Sequence, residues 1–211
     1  MRKIIVLLIA VLIANVSIAQ RDKKATEILD QVIAKTESHT TLSVNFTYKM
    51  VNPDADIDES KDGDLLVKGN AYRLDIAGQI VISDGTTMWT LLPDDEEVMI
   101  NNVEEDSEAI TPNNLLNSYQ DNYKSKFLKE DRINGKTVEI IELTPLKGNY
   151  IKVEVVIEKA KKQILSFSLF DKNGSTYSYI INEYTPDIKT EENTFLFKQE
   201  DYPDFEIVDM R

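Results

Sequence analysis

The chain has 211 residues, no cysteine, and 24 lysine and arginine residues against 37 aspartate and glutamate residues, which gives a formal net charge of −13. This acidity argues against nucleic acid and anionic membrane surfaces as partners, since both attract lysine and arginine. Without cysteine the fold must rely on its core instead of disulfides, and a chain of this length can bury such a core as one domain.

Residues 1–19 have the pattern of a secretory signal peptide. Arg2 and Lys3 precede an apolar run, and a Ser-Ile-Ala cleavage sequence ends at Ala19. The apolar run is too short to span a bilayer. We therefore expect an exported protein whose single domain covers residues 20–211. Because no cysteine follows the cleavage site, we expect no lipid anchor.

The segment from Asp22 to about Glu37 is predicted to form an amphipathic helix. Its apolar residues recur at the spacing of one helix face, with lysine, glutamate and aspartate between them. They are Ala25, Ile28, Leu29, Val32 and Ile33. The plainest interpretation is that this face packs on a sheet, and a lid that also touches a ligand would show the same pattern.

From residue 42 onward, apolar residues alternate with polar ones, which is the period of a strand with one buried face. We predict about eleven strands with short connections, which form a single antiparallel sheet. A sheet of that many strands tends to curl toward closure. Turn residues separate the strands at Asp62-Gly63, Gly69-Asn70, Asn134-Gly135, Gly148-Asn149 and Asn173-Gly174.

The stretch from Ile80 to Pro93 predicts a β-hairpin with its turn at Asp84-Gly85. Neither arm has a purely polar face, so we expect both sides of this hairpin to be covered. The single tryptophan, Trp89, lies here. On the concave side it would line a cavity, and on the convex side it would pack against a neighbouring element or face solvent.

A second, shorter helix is predicted after this hairpin. Thr111 suits the N-cap and Pro112 suits the first helical position, while Leu115, Leu116 and Tyr119 share one face. Two one-sided helices beside a curled sheet predict a mainly β fold with an α-helical lid: an incomplete barrel covered by the N-terminal helix and this central one.

Residues that carry common catalytic chemistry are scarce. His39 follows the first helix, where a helix-terminal or solvated role is expected. Without cysteine, a second histidine or a glycine-rich phosphate loop, the usual nucleophilic, zinc and nucleotide sites lack their parts. Carboxylates are plentiful, so counting residues leaves a glycosidase-type pair open. We expect no enzyme activity, no metal and no cofactor.

The densest acidic run lies between Asp54 and Asp64. Asp54, Asp56 and Asp58 have the spacing of an EF-hand, but Glu59 stands where that loop needs glycine and no helix flanks it. We interpret this run as a mobile, hydrated loop between two strands.

Four stretches, in the same order along the chain, resemble the periplasmic lipoprotein carrier family, LolA. They are Gly63-Asp64-Leu65, Ser83-Asp84-Gly85 with Trp89 and Pro93, Thr111-Pro112 with Leu115-Leu116, and Leu143-Thr144-Pro145. The resemblance covers nearly the whole chain after the signal peptide. It implies a periplasmic location and the same incomplete barrel with helices as its lid.

The resemblance also implies a function. Members of the family shield the acyl chains of lipoproteins, taking them from an inner-membrane ABC lipoprotein-release complex to an outer-membrane acceptor, which the sequence does not identify. We expect a monomer without a cofactor. The residues expected to form the acyl cavity and its lid are Ile28, Val32, Phe46, Tyr72, Arg73, Leu74, Ile76, Trp89, Leu91, Leu115, Leu116 and Tyr119.

The sequence departs from the family at the point where an Arg-Pro pair often follows a strand and its arginine bonds to the lid. Gly69-Asn70 stands there instead, while Arg73 matches another arginine of many members. Two alternatives stay open. One is a regulatory protein that senses a lipid or a peptide with the same half-barrel, and the weaker one is a secreted hydrolase.

Overall fold

A computed structural model describes residues 22–103, 119–191 and 193–211. The signal-peptide pattern lies outside these ranges, as do Thr111, Pro112, Leu115 and Leu116 of the predicted central helix. Helix α1 spans Lys23–Glu37, and residues 119–122 are also helical. The strands are β1 Leu42–Asn52, β2 Ile57–Lys68, β3 Ala71–Ile76, β4 Gln79–Ser83, β5 Thr87–Leu92, β6 Glu97–Asn102, β7 Tyr123–Ile133, β8 Lys136–Pro145, β9 Tyr150–Glu158, β10 Gln163–Asp171, β11 Thr176–Pro186 and β12 Glu206–Asp209.

These strands form a single sheet in the order β12-β6-β5-β4-β3-β2-β1-β11-β10-β9-β8-β7. All neighbouring pairs are antiparallel except β12 and β6, which are parallel. The predicted fold class, one mainly antiparallel sheet with helices on it, is therefore confirmed. The two edge strands of the sheet are β7 and β12, so the sheet is open. Within the described residues, no helix is long and apolar enough to cross a bilayer.

The acidic run between Asp54 and Asp64 is mostly strand, so the loop interpretation is wrong. A 3-10 helix at Pro53–Ala55 makes the turn, and β2 then pairs with β1 along its whole length, from Asn52↔Ile57 to Leu42↔Val67. The predicted turn at Asp62-Gly63 is also wrong, because both residues lie within β2. Polar side chains of β1 hold these carboxylates, since Thr47 donates a hydrogen bond to Asp62 at 2.8 Å.

Gly63 has a packing role within β2. A Cβ atom at this position would lie 2.6 Å from the ring of Phe46, which is the residue opposite it on β1. The absence of a side chain therefore lets the Phe46 ring lie across the backbone of β2. Phe46 is buried there, with its ring centroid 5.8 Å from that of Tyr179.

Helix α1 covers one face of the sheet over β7–β11, and we call this the inner face. The predicted apolar stripe is confirmed, with Ala25, Ile28, Leu29 and Val32 all buried. Their stripe packs in one core with strand residues such as Phe167, which is fully buried on β10. Strand register places Val155 and Ile141 on the same face as Phe167, so the core crosses three adjacent strands.

Asp22 fixes where α1 begins and how it meets the sheet. One carboxylate oxygen accepts hydrogen bonds from the backbone N–H groups of Lys24 and Ala25, at 3.0 and 3.2 Å. The other accepts the N–H of Phe127 on β7 at 2.8 Å. The Phe127 hydrogen bond is the main cause that lowers the pKa of Asp22, and partial burial opposes it.

The first prediction concerns this cap. Asp22→Ala should lower the free energy of unfolding by about 1–2 kcal/mol at neutral pH, because it removes an N-cap and leaves the Phe127 N–H without its acceptor. Since the folded-state pKa of Asp22 is lowered, its contribution is present above the ordinary carboxyl range and is lost as the pH falls through the folded value. Urea unfolding at neutral and acidic pH measures both effects.

Lys23→Ala is the matched control, because Lys23 is exposed at the adjacent position and its ion pair within the described residues is the one with Glu27 at 3.7 Å. It should change stability by less than about 0.5 kcal/mol. Equal stabilities for the Asp22→Ala variant and the native protein at neutral pH would contradict the assignment.

Candidate functional site

A cavity of about 310 Å³ lies on the inner face, between the C-terminal end of α1 and the middle of the sheet. Its apolar wall comes from β1, β2 and β11 together with one residue of β10. The side chains that form this wall are Leu42, Val44, Leu65, Val67, Ile181 and Ile164. Strand alternation explains the wall, because Val44 pairs with Leu65 on one side and with Tyr184 on the other, so all three face the same way.

Polar groups gather at the end of the cavity formed by the last turn of α1 and the residues after it. Thr36, Glu37, His39 and Thr40 all line this end. The turn at Gly69-Asn70 closes another part of the rim, at the position where the sequence departs from the family pattern. The cavity therefore has an apolar body and a polar mouth.

His39 is held firmly at this mouth. Its Nδ1 lies 2.8 Å from a carboxylate oxygen of Asp187, and its side chain is only 12% exposed. The other carboxylate oxygen of Asp187 accepts the backbone N–H of Thr40 at 2.9 Å. The His39 ring meets Tyr184 edge to face, with centroids 6.4 Å apart. His39 lies just past the end of α1, as expected, but the sequence did not reveal its pairing with Asp187, whose side chain is 53% exposed.

The electrostatics of the mouth follow from these contacts. The His39 hydrogen bond, followed by that of the Thr40 N–H, holds the pKa of Asp187 below its ordinary value. Burial raises the pKa of Tyr184, and a hydrogen bond with Thr36 opposes that shift. At neutral pH Asp187 is therefore an anion and Tyr184 is a neutral phenol.

The predicted site residues fall into separate groups. Ile28 and Val32 lie in the α1 core, and Tyr119 joins them there at 2% exposure, with its hydroxyl donating to Asp30 at 2.6 Å. A second core next to the cavity holds Phe46, Tyr72, Leu74 and Ile76, packed with Val44 and Leu65. Leu115 and Leu116 lie outside the described residues.

Trp89 and Leu91 lie on the opposite, outer face. They pack with Ile82, Val98 and the C-terminal segment, and the Trp89 ring stacks on Phe197 with centroids 6.5 Å apart. This packing answers the question of what covers the second apolar face of the hairpin. Arg73 is also on the outer face, because it pairs with Leu66 and Ile82.

None of the predicted residues that the structure describes lines the cavity itself. The wall residues missed by the sequence analysis are those of β1, β2 and β11, together with His39 and Tyr184. Alternation in β1 carried part of the information, since Leu42, Val44 and Phe46 share a face. That β11 would lie beside β1 was not readable from any local pattern.

Comparison with known proteins gives a family and a fold. The family described as "Outer membrane lipoprotein carrier protein LolA" matches residues 37–198. No curated protein matches the sequence significantly.

Solved structures match over most of the chain. An uncharacterized conserved protein from Thermus thermophilus has a TM-score of 0.63 at 12% identity, covering 89% of this chain and 99% of its own. Lipoprotein LppX of Mycobacterium tuberculosis has a TM-score of 0.50 at 14% identity, covering 81% of this chain and 100% of its own. A putative outer membrane lipoprotein-sorting protein domain from Vibrio parahaemolyticus is 16% identical, with a TM-score of 0.48 and coverage of 82% and 97%.

The surroundings of Trp89 give a prediction that fluorescence can test. Phe197→Ala should shift the tryptophan emission to longer wavelength, because removing the stacked ring admits water to a half-buried indole. Leu196→Ala is the control, since Leu196 is the adjacent residue and is exposed. Unchanged emission in the Phe197 variant would contradict the stacking, and so would an equal shift in both variants.

Proposed function

Because the chain belongs to the LolA family of outer membrane lipoprotein carrier proteins, we propose that it is a periplasmic carrier of lipoproteins. In this proposal the protein shields acyl chains between α1 and the sheet and moves them from the inner to the outer membrane. The family is periplasmic and its members are generally non-enzymatic. The observation that carries the proposal is the cavity of about 310 Å³ with apolar walls on the inner face.

The free-energy cost of leaving an acyl chain in water shows why a carrier is needed. Burying a methylene group is worth about 0.8 kcal/mol, so one sixteen-carbon acyl chain in water costs on the order of 12 kcal/mol. The cavity volume is at the lower end of the roughly 300–1,000 Å³ range of small-molecule sites. A cavity of this size suits one acyl chain, and a lipoprotein with two or three chains requires more room.

Displacement of α1 would supply that room. The helix contributes Ile28, Leu29 and Val32 as large buried side chains, and each is worth about 1.5–3 kcal/mol when buried. Exposing all three would therefore cost about 5–9 kcal/mol, which is less than the free energy gained by shielding one long acyl chain. An acyl chain that replaces the stripe of α1 would contact the same strand residues, including Phe167 and Val155.

Phe46, Tyr72, Leu74 and Ile76 extend the apolar wall away from α1 in this proposal, because they pack in one core with the cavity residues Val44 and Leu65. The proposed partners are acylated lipoproteins, an inner-membrane ABC lipoprotein-release complex as donor, and an outer-membrane acceptor. Arg73 is proposed to take no direct part in holding α1, since its strand neighbours put it on the outer face.

Filling the cavity should block binding. Val67→Trp places an indole in the cavity, and we expect it to weaken the binding of a fluorescent fatty-acyl probe by at least about tenfold, or about 1.4 kcal/mol. Leu66→Trp is the matched control, because the adjacent residue of β2 points to the outer face. Equal affinities in the two variants would contradict this location of the site, provided that both unfold as cooperatively as the native protein.

The carrier function itself can be tested on the exported protein. After purification from the periplasm, mass spectrometry of an organic extract should detect acyl species, and the protein should release lipoproteins from spheroplasts into the supernatant. Clean apoprotein from several hosts, together with no binding of the acyl probe, would overturn the proposal. Hydrolysis of model esters or glycosides would favour the hydrolase alternative instead.

A further inference from the structure

The polar mouth of the cavity holds a hydrogen-bonding group whose role the apolar wall does not explain. The imidazole of His39 is partly buried at this mouth, and its two ring nitrogens differ in their partners. Nδ1 of His39 has its partner in Asp187. Within residues 22–103, 119–191 and 193–211, Nε2 has no hydrogen-bond partner.

The tautomer of His39 follows from its partner. The carboxyl group of Asp187 has a lowered pKa, so it is ionised and can only accept hydrogen bonds. Nδ1 must therefore carry the proton, and in the neutral ring Nε2 is left as an acceptor. The edge-to-face contact with Tyr184 and the hydrogen bond to Asp187 together hold the His39 ring in one orientation.

Charge at the mouth has one sign. Glu37 lines the cavity and Asp187 stands behind His39, while no lysine or arginine occurs among the described residues that line it. A negatively charged head group would meet the lone pair of Nε2 and both carboxylates. A head group that donates hydrogen bonds would meet an acceptor and a favourable potential.

We propose that the His39–Asp187 pair is a head-group selector, which admits an acyl chain whose polar end donates a hydrogen bond and carries no negative charge. The inference rests on the proposed function, since it concerns which acyl compounds the same cavity takes. The acyl chain lies along the apolar wall, and its hydroxyl, amide N–H or ammonium group reaches Nε2. Free fatty acids, which are anions at neutral pH, are discriminated against.

Three ligands with the same chain length test this selection. At about pH 8.5, 1-dodecanol, dodecylammonium and dodecanoate each compete for the native protein with a fluorescent acyl probe. We expect the alcohol and the ammonium compound to displace the probe at concentrations at least about tenfold lower than dodecanoate. An advantage of the ammonium compound alone, lost at high salt, would assign the selection to the carboxylates and overturn the role of Nε2.

Two variants separate head-group recognition from wall packing. His39→Phe keeps a planar ring but removes the acceptor, so the alcohol should lose its advantage over dodecanoate, to within about twofold. His39→Gln restores an acceptor at a similar reach and should recover part of it. A loss that is equal for all three ligands in His39→Phe would make His39 a wall residue only and overturn the proposal.

The outcomes distinguish the two proposals. If dodecanoate binds the native protein as tightly as the alcohol, head-group selection is overturned and the carrier function stands. If the probe and all three ligands fail to bind, the carrier function fails and the selection fails with it. The measurements on the native protein decide the matter even where a variant does not fold.

Discussion

The antiparallel pairing of β1 with β11 is the contact on which the other features depend. On one side of it the strands run from β1 through β6, and on the other they run from β11 back to β7, each as a series of sequential neighbours. β1–β11 is the pair that joins these two series, with Val44 opposite Tyr184 and Phe46 opposite Ile181. Such distant pairing carries a large cost in loop-closure entropy, which the contacts of the joined strands must offset.

The cavity lies at this junction. Its wall takes residues from β1 and β2 on one side and from β11 and β10 on the other. The polar mouth depends on the same junction, since the chain entering β1 and the chain leaving β11 are held together there. Asp187 donates its backbone N–H to Thr41 at 2.8 Å and accepts from Thr40 and His39. Joining the two halves of the sheet thus produces the apolar wall and the polar mouth in one step.

Buried apolar residues lie on the inner face of the sheet over β7–β11 and on its outer face over β4–β6, and two different elements cover these regions. α1 covers the inner face over β7–β11, while the C-terminal residues Phe197, Tyr202 and Phe205 cover the outer face over β4–β6. An open sheet also leaves strand edges exposed. The edge strand β7 has the sequence YKSKFLKEDRI, and lysines on an edge discourage pairing with another chain. These arrangements let an incomplete barrel stay open without exposing its full apolar area.

The sequence by itself determined the local structure and the family. The spacing of Ala25, Ile28, Leu29 and Val32 gave α1 and its buried stripe, alternation gave most of the strands, and Asp84-Gly85 gave a hairpin turn in which Gly85 has a φ of 94°. The LolA resemblance, carried by short stretches spread along the chain, agrees with the family match over residues 37–198. Periodicity is sufficient for these features because it depends only on near neighbours in the chain.

Tertiary structure decided which strands became neighbours and what covered each face. Alternation shows that Trp89 and Leu91 share a face, but not that the C-terminal segment packs on it. The acidic residues of β2 resembled a loop because their strand character comes from full-length pairing with β1. The cavity and the His39–Asp187 pair depend on contacts between residues 148 positions apart. Such contacts leave no periodic trace in the sequence, because they are set by the strand order of the folded sheet.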